Sequence, residues 1–531
     1  MTFRDLYGPG RSTVHATGAM AATSHPLATA TALDVLREGG NAVDAAIAAC
    51  AVLAVVEPQM TGIGGDCFCL LAKNGRAPVI AYNGSGRAPA AATPARFREL
   101  GVSAIDPLGP HAVTIPGAIE AWHRLVSDHG TMPFGTLLEP AARYATEGHP
   151  LHERVVFDIR SFLPKVRSAQ GFADLILDDG NVPPFGRLYT NRALGETLRA
   201  IAKDGPDAFY RGEIAARLVA FLNDLGGLQT REDFAGHRGN YVEPVHADYR
   251  GHQVYQCPPN GQGVITLLLL RILSHLDVAA DEPTSPERFH KLMEAARIAF
   301  SVRDAWLADP EHHPVPWERF LSDAFTRVSA GRIREDAVLK LDEPVDLPEH
   351  KDTVYLTVVD RDRTAFSLIN SLFEPFGSAL YEPQTGILLQ NRGRSFTLKD
   401  GHPNQIAPGK RPMHTIIPGM VLKDDRVLYS YGVMGGHFQP VGHATLLSNL
   451  IDFGMDMQQA ADAPRCFPQD GKVMVEPSVP AATRARLAEI GHEVEIRADP
   501  IGGAQAIRID PQSGVLSACS DPRKDGCALG F

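Results

Sequence analysis

Residue 353 divides this chain by pattern. Ahead of it most segments carry helical periodicity, and behind it alternating, β-branched runs dominate. Just before the divide, residues 342–350 set Pro344 and Pro348 among several acids, the composition of an exposed linker. Thr353 then heads the run Thr353-Val354-Tyr355-Leu356-Thr357-Val358-Val359, which reads as a strand. A threonine in that place is ordinarily a strand residue and nothing more. If the bond before it were cut, it would carry a free α-amine beside its own hydroxyl, a base and a nucleophile on one residue. A helix-rich part followed by a strand-rich part fits either separate domains or the layers of one α/β sandwich.

Helices are predicted over 27–38, ending at Gly39-Gly40, and over the alanine-rich 42–55, capped by Asn41. Thr61-Gly62-Ile63-Gly64-Gly65-Asp66 is a glycine-rich turn. It follows a helix and precedes a strand, the wrong order for a dinucleotide fingerprint, and reads as structural. Strands are expected over 67–71 and 79–82, joined at Asn74-Gly75. Helices follow over 117–125, 136–147, 194–203, 213–225, 264–276 and 286–304. Residues 353–360 and 364–371 form a hairpin. Strands follow at 387–390, 415–421 and 427–433, then helices at 443–452 and 457–463.

The formal net charge is −11, which argues against non-specific binding to nucleic acid or an anionic membrane, although local patches can have the opposite sign. No apolar run reaches transmembrane length. The first ten residues lack a basic start followed by an apolar core, so no signal peptide is expected and the protein is read as cytoplasmic. The seven cysteines, odd in number and irregular in spacing, read as reduced thiols. His437, His443 and the pair His312-His313 lack metal-site spacing, so neither a metal nor a cofactor is expected.

The chain resembles the γ-glutamyltranspeptidase (glutathione hydrolase) family of N-terminal nucleophile hydrolases. The resemblance rests on Ala22-Thr23-Ser24-His25-Pro26, Gly39-Gly40-Asn41-Ala42-Val43-Asp44, Glu57-Pro58, Gly62-Ile63-Gly64-Gly65-Asp66, Val113-Thr114-Ile115-Pro116-Gly117, Asp352-Thr353, Gly386-Ile387-Leu388-Leu389, Arg411-Pro412, Met434-Gly435-Gly436 and Asp521-Pro522-Arg523-Lys524-Asp525-Gly526. It implies a four-layer αββα sandwich built from two interwound fragments. It also implies self-cleavage between Asp352 and Thr353 into a large subunit, 1–352, and a small one, 353–531. The two would stay together as a heterodimer, with a dimer of heterodimers as a further possibility.

What the resemblance implies for chemistry maps onto residues that could each carry their part. Thr353 is the nucleophile, and its freed amine, with a reference pKa of about 7.7–8.0, is the base. Gly435 and Gly436 let backbone N–H groups approach an oxyanion closely. Ser371, at the end of the hairpin, is placed to hydrogen-bond Thr353. Thr357 points the same way as Thr353 and Tyr355 along the strand and is a candidate to reach the nucleophile.

The substrate-binding positions depart from glutathione-active members. Tyr355 replaces a histidine two residues after the nucleophile. Ser85 stands where those members hold the glutamyl α-carboxylate with arginine, and Arg87 comes two residues later. Asn391-Arg392-Gly393-Arg394-Ser395 puts Ser395 in place of the acid that binds the α-amine, with Arg392 and Arg394 beside it. His414-Thr415 replaces a pair of serines. An altered zwitterion clamp with added arginines favours a carboxylate over an ammonium. The expected protein is therefore an autoprocessed amidohydrolase or acyltransferase acting on a γ-glutamyl-type small-molecule amide. A glutaryl-cephalosporin acylase or oxamate-type amidase is the alternative, and an unprocessed pseudoenzyme acting as a binding protein is a second.

Overall fold

The structure, a computed structural model, describes residues 10–169, 171–341 and 353–531. The linker expected at 342–350 and the cleavage-site residue Asp352 lie outside the described residues.

Local chemistry sets the first elements. The helix Pro26–Arg37 ends where Gly39 takes φ 99° and the N–H of Gly40 returns to the Val35 carbonyl at 2.9 Å, a Schellman stop. Asn41 caps the helix Ala42–Val56 by accepting from Val43 and Asp44, and Asp44 returns a bond to the Asn41 N–H. Every residue of that helix is buried, which suits an element apolar on all sides.

Two seven-stranded sheets pack face to face. One runs, edge to edge, Cys527–Gly530, Met20–Thr23, Val354–Val359, Ala365–Ser371, Asp66–Ala72, Val79–Gly84 and Asn240–Val242. The other runs Val14–Ala16, Leu516–Ser520, Gly503–Ile509, Arg426–Met434, Gly419–Lys423, His252–Gln256 and Val245–Tyr249. Each sheet takes strands from both sides of residue 353, so the helix-rich and strand-rich parts form one structure rather than two domains.

Alternation along the strands sorts side chains into three layers of core. Val354, Leu356 and Val358 face the helices Pro26–Arg37 and Ala42–Val56. Tyr355 and Val359 face the second sheet, where they meet Met420, Met434 and Ile507. Behind that sheet, Val421 and Val433 pack on the helices Gly263–Leu273, Pro286–Trp306 and Gln439–Ile451. The layering is αββα.

Most expected elements form, with shifted ends. The hairpin pairs Val354 with Asn370 through Val359 with Ala365. The strand expected at 415–421 begins only at Gly419. Pro418 has no N–H to give a ladder, and the preceding amides are taken elsewhere. Ile417 donates to the Gln439 side chain at 2.9 Å and His414 to the Asn260 carbonyl at 2.9 Å. The helix expected at 443–452 starts earlier, as Gln439–Ile451, and carries His443 inside it. No described helix is long and apolar enough to cross a membrane.

Candidate active site

The hairpin register brings the two hydroxyls together. With Val354 opposite Asn370, Thr353 falls opposite Ser371, and their oxygens are 3.2 Å apart. Both residues are fully buried. Ser371 Oγ also accepts the Phe373 N–H at 2.9 Å. That uses one lone pair, and a hydroxyl has a second lone pair and a proton with which to meet Thr353. Gly65 lets this segment come close: a Cβ there would lie 2.3 Å from the Ser371 carbonyl oxygen. The turn 61–66 is thus the structural element expected, and it packs against the end of the candidate nucleophile's hairpin.

Asp66, at the end of that turn, does more than close it. Its buried carboxylate accepts from Gly86 N–H at 2.9 Å, Gln390 Nε2 at 3.0 Å and His414 Nε2 at 3.0 Å, tying three separate segments together. Burial works against its ionisation. The hydrogen bond from His414, with the charge of Arg392 and a hydrogen bond from Gln390, outweighs burial and holds its pKa below the usual carboxylate value. The available signal was an acid set at the head of an apolar strand, which must find buried partners.

The three candidate arginines have different fates. Arg87 forms a fork on Glu311 at 2.9 and 3.1 Å and also donates to the Gly409 carbonyl. Arg394 is paired with Glu374 at 2.6 Å. Arg392 is fully buried; its Nη1 donates to Thr415 Oγ1 at 2.8 Å, and its guanidinium lies 3.9 Å from the centre of the Phe373 ring. Its Nε and Nη2 have no hydrogen-bond partner among the described residues. Burial pushes Arg392 down to about 9, against the opposing pull of Asp66 and Glu374. This is a desolvated cation with two donors unspent.

Several expected site residues are occupied otherwise. Thr357 is four residues along the strand from Thr353, about 13 Å at the usual rise, and bonds Ser430 across the sheets at 2.6 Å, so it does not reach the nucleophile. Tyr355 does not bind substrate from where it sits: its ring lies in the inter-sheet core over Gly432, and its hydroxyl bonds Ser367 at 2.8 Å. Ser85 is buried with Asn83 and Asn260, its Oγ accepting from Asn260 at 3.2 Å. Asn391 is tied to Glu374 at 2.8 Å and to the Pro107 carbonyl. His414 is held by Asp66, and burial with the nearby Arg392 lowers it to about 3, so it is a neutral ring.

Gly435 and Gly436 turn the chain from the strand Arg426–Met434 into the helix Gln439–Ile451. Their φ values are 126° and 57°, and a Cβ on Gly435 would lie 3.0 Å from the Gly502 Cα. Side chains are excluded there by conformation. Beside this turn a cavity of about 180 Å³ is lined by Phe373, Arg394, Ser395, Arg303 and His437, among others. The Ser395 hydroxyl is buried without a partner. Burial, then Arg303, Arg392 and Arg394, hold His437 well below the usual imidazole range. Asp304 also lines the cavity, paired with Arg303 at 2.7 Å.

His290, Glu294 and His492 have metal-ligand spacing. His290 and Glu294 lie about 20 and about 14 Å from Arg303 along the helix Pro286–Trp306. Their atoms already engage one another or the backbone: His290 with His492 at 2.7 Å, and His290 with the Arg334 carbonyl at 2.6 Å.

A four-layer sandwich with a threonine hydroxyl at the head of a central strand defines an N-terminal nucleophile hydrolase fold, and the chain is an amidohydrolase of that class. The profile described as gamma-glutamyltranspeptidase matches residues 28–531, and the chain belongs to that family. It is 38% identical over 521 residues to the glutathione hydrolase-like YwrD proenzyme of Bacillus subtilis, covering 96% of this chain and 98% of that protein. It is 35% identical over 530 residues to the oxamate amidohydrolase proenzyme of Klebsiella pneumoniae, covering 97% and 99%. The crystal structure of cephalosporin acylase from Bacillus halodurans superposes with a TM-score of 0.93 at 37% identity, covering 100% of this chain and 99% of that one.

Proposed function

We propose that this protein is a cytoplasmic, self-cleaving threonine amidohydrolase whose substrates are amides with a carboxylate on the acyl part. Cleavage before Thr353 yields subunits of 352 and 179 residues (531 − 352) that remain one heterodimer. Thr353 Oγ1 attacks the amide carbon as the α-amine takes its proton. Backbone N–H groups at Gly435-Gly436 receive the oxyanion. The amine product leaves, and water or an acceptor amine resolves the acyl-enzyme. Ser371 steadies the Thr353 hydroxyl.

The observation that carries the substrate class is Arg392. A buried guanidinium with two unpartnered N–H donors is costly unless an anion completes it. A carboxylate fits that fork. Ser395 supplies no charge for a substrate ammonium, and the nearby acids are engaged, Glu374 by Arg394, Lys165 and Asn391 and Asp304 by Arg303. Glutaryl amides should therefore be better substrates than γ-glutamyl amides. The test is kcat/KM for glutaryl- and γ-glutamyl-p-nitroanilide on one mature preparation, and a clear preference for the glutamyl compound defeats the reading.

A second reading, an oxamate-type amidohydrolase, is favoured by compactness. Phe373 holds Ser371 with its amide and Arg392 with its ring, which keeps the cation near the hydroxyl pair. Ammonia release from oxamate in the same panel separates the two.

A further inference from the structure

Gln262 lies in the turn Pro258-Pro259-Asn260-Gly261-Gln262, between the strand His252–Gln256 and the helix Gly263–Leu273. Its side chain is fully buried. Its Nε2 donates to two carbonyls, Thr415 at 2.8 Å and Gly436 at 3.0 Å. Its Oε1 accepts from Arg303 Nη1 at 3.3 Å. The amide therefore has one orientation. Turned over, it would set oxygen against two carbonyl oxygens and an NH₂ against a guanidinium.

The two carbonyls belong to the two halves of the site. Gly436 is half of the proposed oxyanion hole, and with φ 57° and no side chain it has little of its own to hold it. Thr415 carries the hydroxyl that accepts from Arg392. We infer that Gln262 is a positioning residue that couples the oxyanion hole to the carboxylate clamp, with Arg303 setting the direction of its amide. The coupling rests on the reading of the site given above. It has a consequence for catalysis: this buried amide helps fix the distance between the acyl carboxylate and the reacting carbonyl.

The test uses Gln262→Met, which keeps bulk and removes both donors, on mature enzyme with glutaryl- and butyryl-p-nitroanilide. The expected result is a fall in kcat of about 10- to 100-fold on both substrates, from the loosened hole. KM should rise in addition on glutaryl alone, from the loosened clamp. Adding Arg392→Met should abolish that extra KM effect, so the two substitutions are non-additive by about threefold or more on glutaryl and additive on butyryl. Merely structural damage would be additive on both. Should Gln262→Met remain uncut, Arg303→Met keeps the amide but frees its orientation, and the same split is expected with a fall of about three- to tenfold. Unchanged kcat and KM in a mature variant overturn the inference, as does full additivity on glutaryl. Gly436→Val separates the levels. If it too turns over normally, the hole itself is misplaced; if it is crippled while Gln262→Met is normal, only the coupling fails.

Discussion

Arg392→Met is the substitution whose outcome is most constrained by the structure. The wild-type guanidinium is fully buried and makes one hydrogen bond, to Thr415, besides its contact with the Phe373 ring. It has no salt bridge among the described residues, whereas Arg87 pairs with Glu311 and Asp309 and Arg394 with Glu374. Removing a hydrogen bond to a charged group costs about 1.5–3 kcal/mol. At about 1.4 kcal/mol per factor of ten, that predicts a loss of roughly 10- to 100-fold in kcat/KM for a carboxylate-bearing acyl amide. The same change should not destabilise the fold. A buried cation with no ion pair among the described residues is a burden, and an apolar side chain of similar length is commonly neutral or stabilising in its place. The Thr415 hydroxyl loses a donor, a cost of about 1 kcal/mol that offsets part of the gain.

The assay pairs kinetics on glutaryl- and butyryl-p-nitroanilide with thermal unfolding of the mature heterodimer. The expected result is a large loss confined to glutaryl with Tm unchanged or raised. An equal loss on both substrates, or a marked drop in Tm, refutes the reasoning, because Arg392 would then be serving the fold.

Thr353→Ala should run as a single uncut band, where wild type gives two bands near two-thirds and one-third of the precursor mass, the smaller beginning Thr-Val-Tyr-Leu; cutting before residue 353 in the variant would remove Thr353 as the nucleophile. Ser371→Ala removes the hydroxyl 3.2 Å from Thr353 and should slow maturation and turnover about tenfold, read by gel time course and by kcat. Glu57 is buried, bonded by Ser24, and held up at about 7, chiefly by burial and against the pull of Ser24 and Lys524. Its folded form keeps a proton that the unfolded chain gives up near 4.5, so stability should fall as pH rises from about 4.5 to 7. Glu57→Gln should flatten that slope in Tm, and an unchanged slope assigns it to other groups.

How much of this could be read in advance differs residue by residue. The approach of Thr353 to Ser371 was legible because two strand patterns mirrored about residues 360–364 fix which residues face each other. The side on which Tyr355 and Thr357 lie was legible too, from alternation. Their roles were not, because that side is the interface of two sheets, and strand rise carries Thr357 well away from Thr353. Among three arginines, the unpaired one could not be chosen from sequence. The acids that occupy Arg87 and Arg394 are Glu311 and Glu374, more than two hundred residues away in one case and twenty in the other. Gln262 and Arg303 carry no motif of their own, and the partners of Asp66, which closes a motif, are backbone and side-chain groups that only the folded chain brings near.

The electrostatics of the site bear on why a chain of this kind is made as a precursor. The net charge is −11, yet Arg303, Arg392 and Arg394 surround His437, and Arg392 stands over against His414. Burial and those cations keep both imidazoles uncharged and poor proton acceptors: His414 titrates at about 3, and His437 is also far below its ordinary value. Burial, reinforced by the positive field of those arginines, thus removes the nearest histidines as general bases near neutral pH. On the proposed reading the base must come from elsewhere, and the nearest amine that cleavage can create is that of Thr353. A field of this sign also lowers an amine's pKa toward neutrality, which suits a proton acceptor. The carboxylate clamp and the requirement for a free N-terminal threonine are then two consequences of one arrangement. Neutralising the field by Arg394→Met together with Arg392→Met should raise the pH at which kcat for butyryl-p-nitroanilide reaches half its maximum. An unmoved kcat profile in that double variant would break the link between clamp and base.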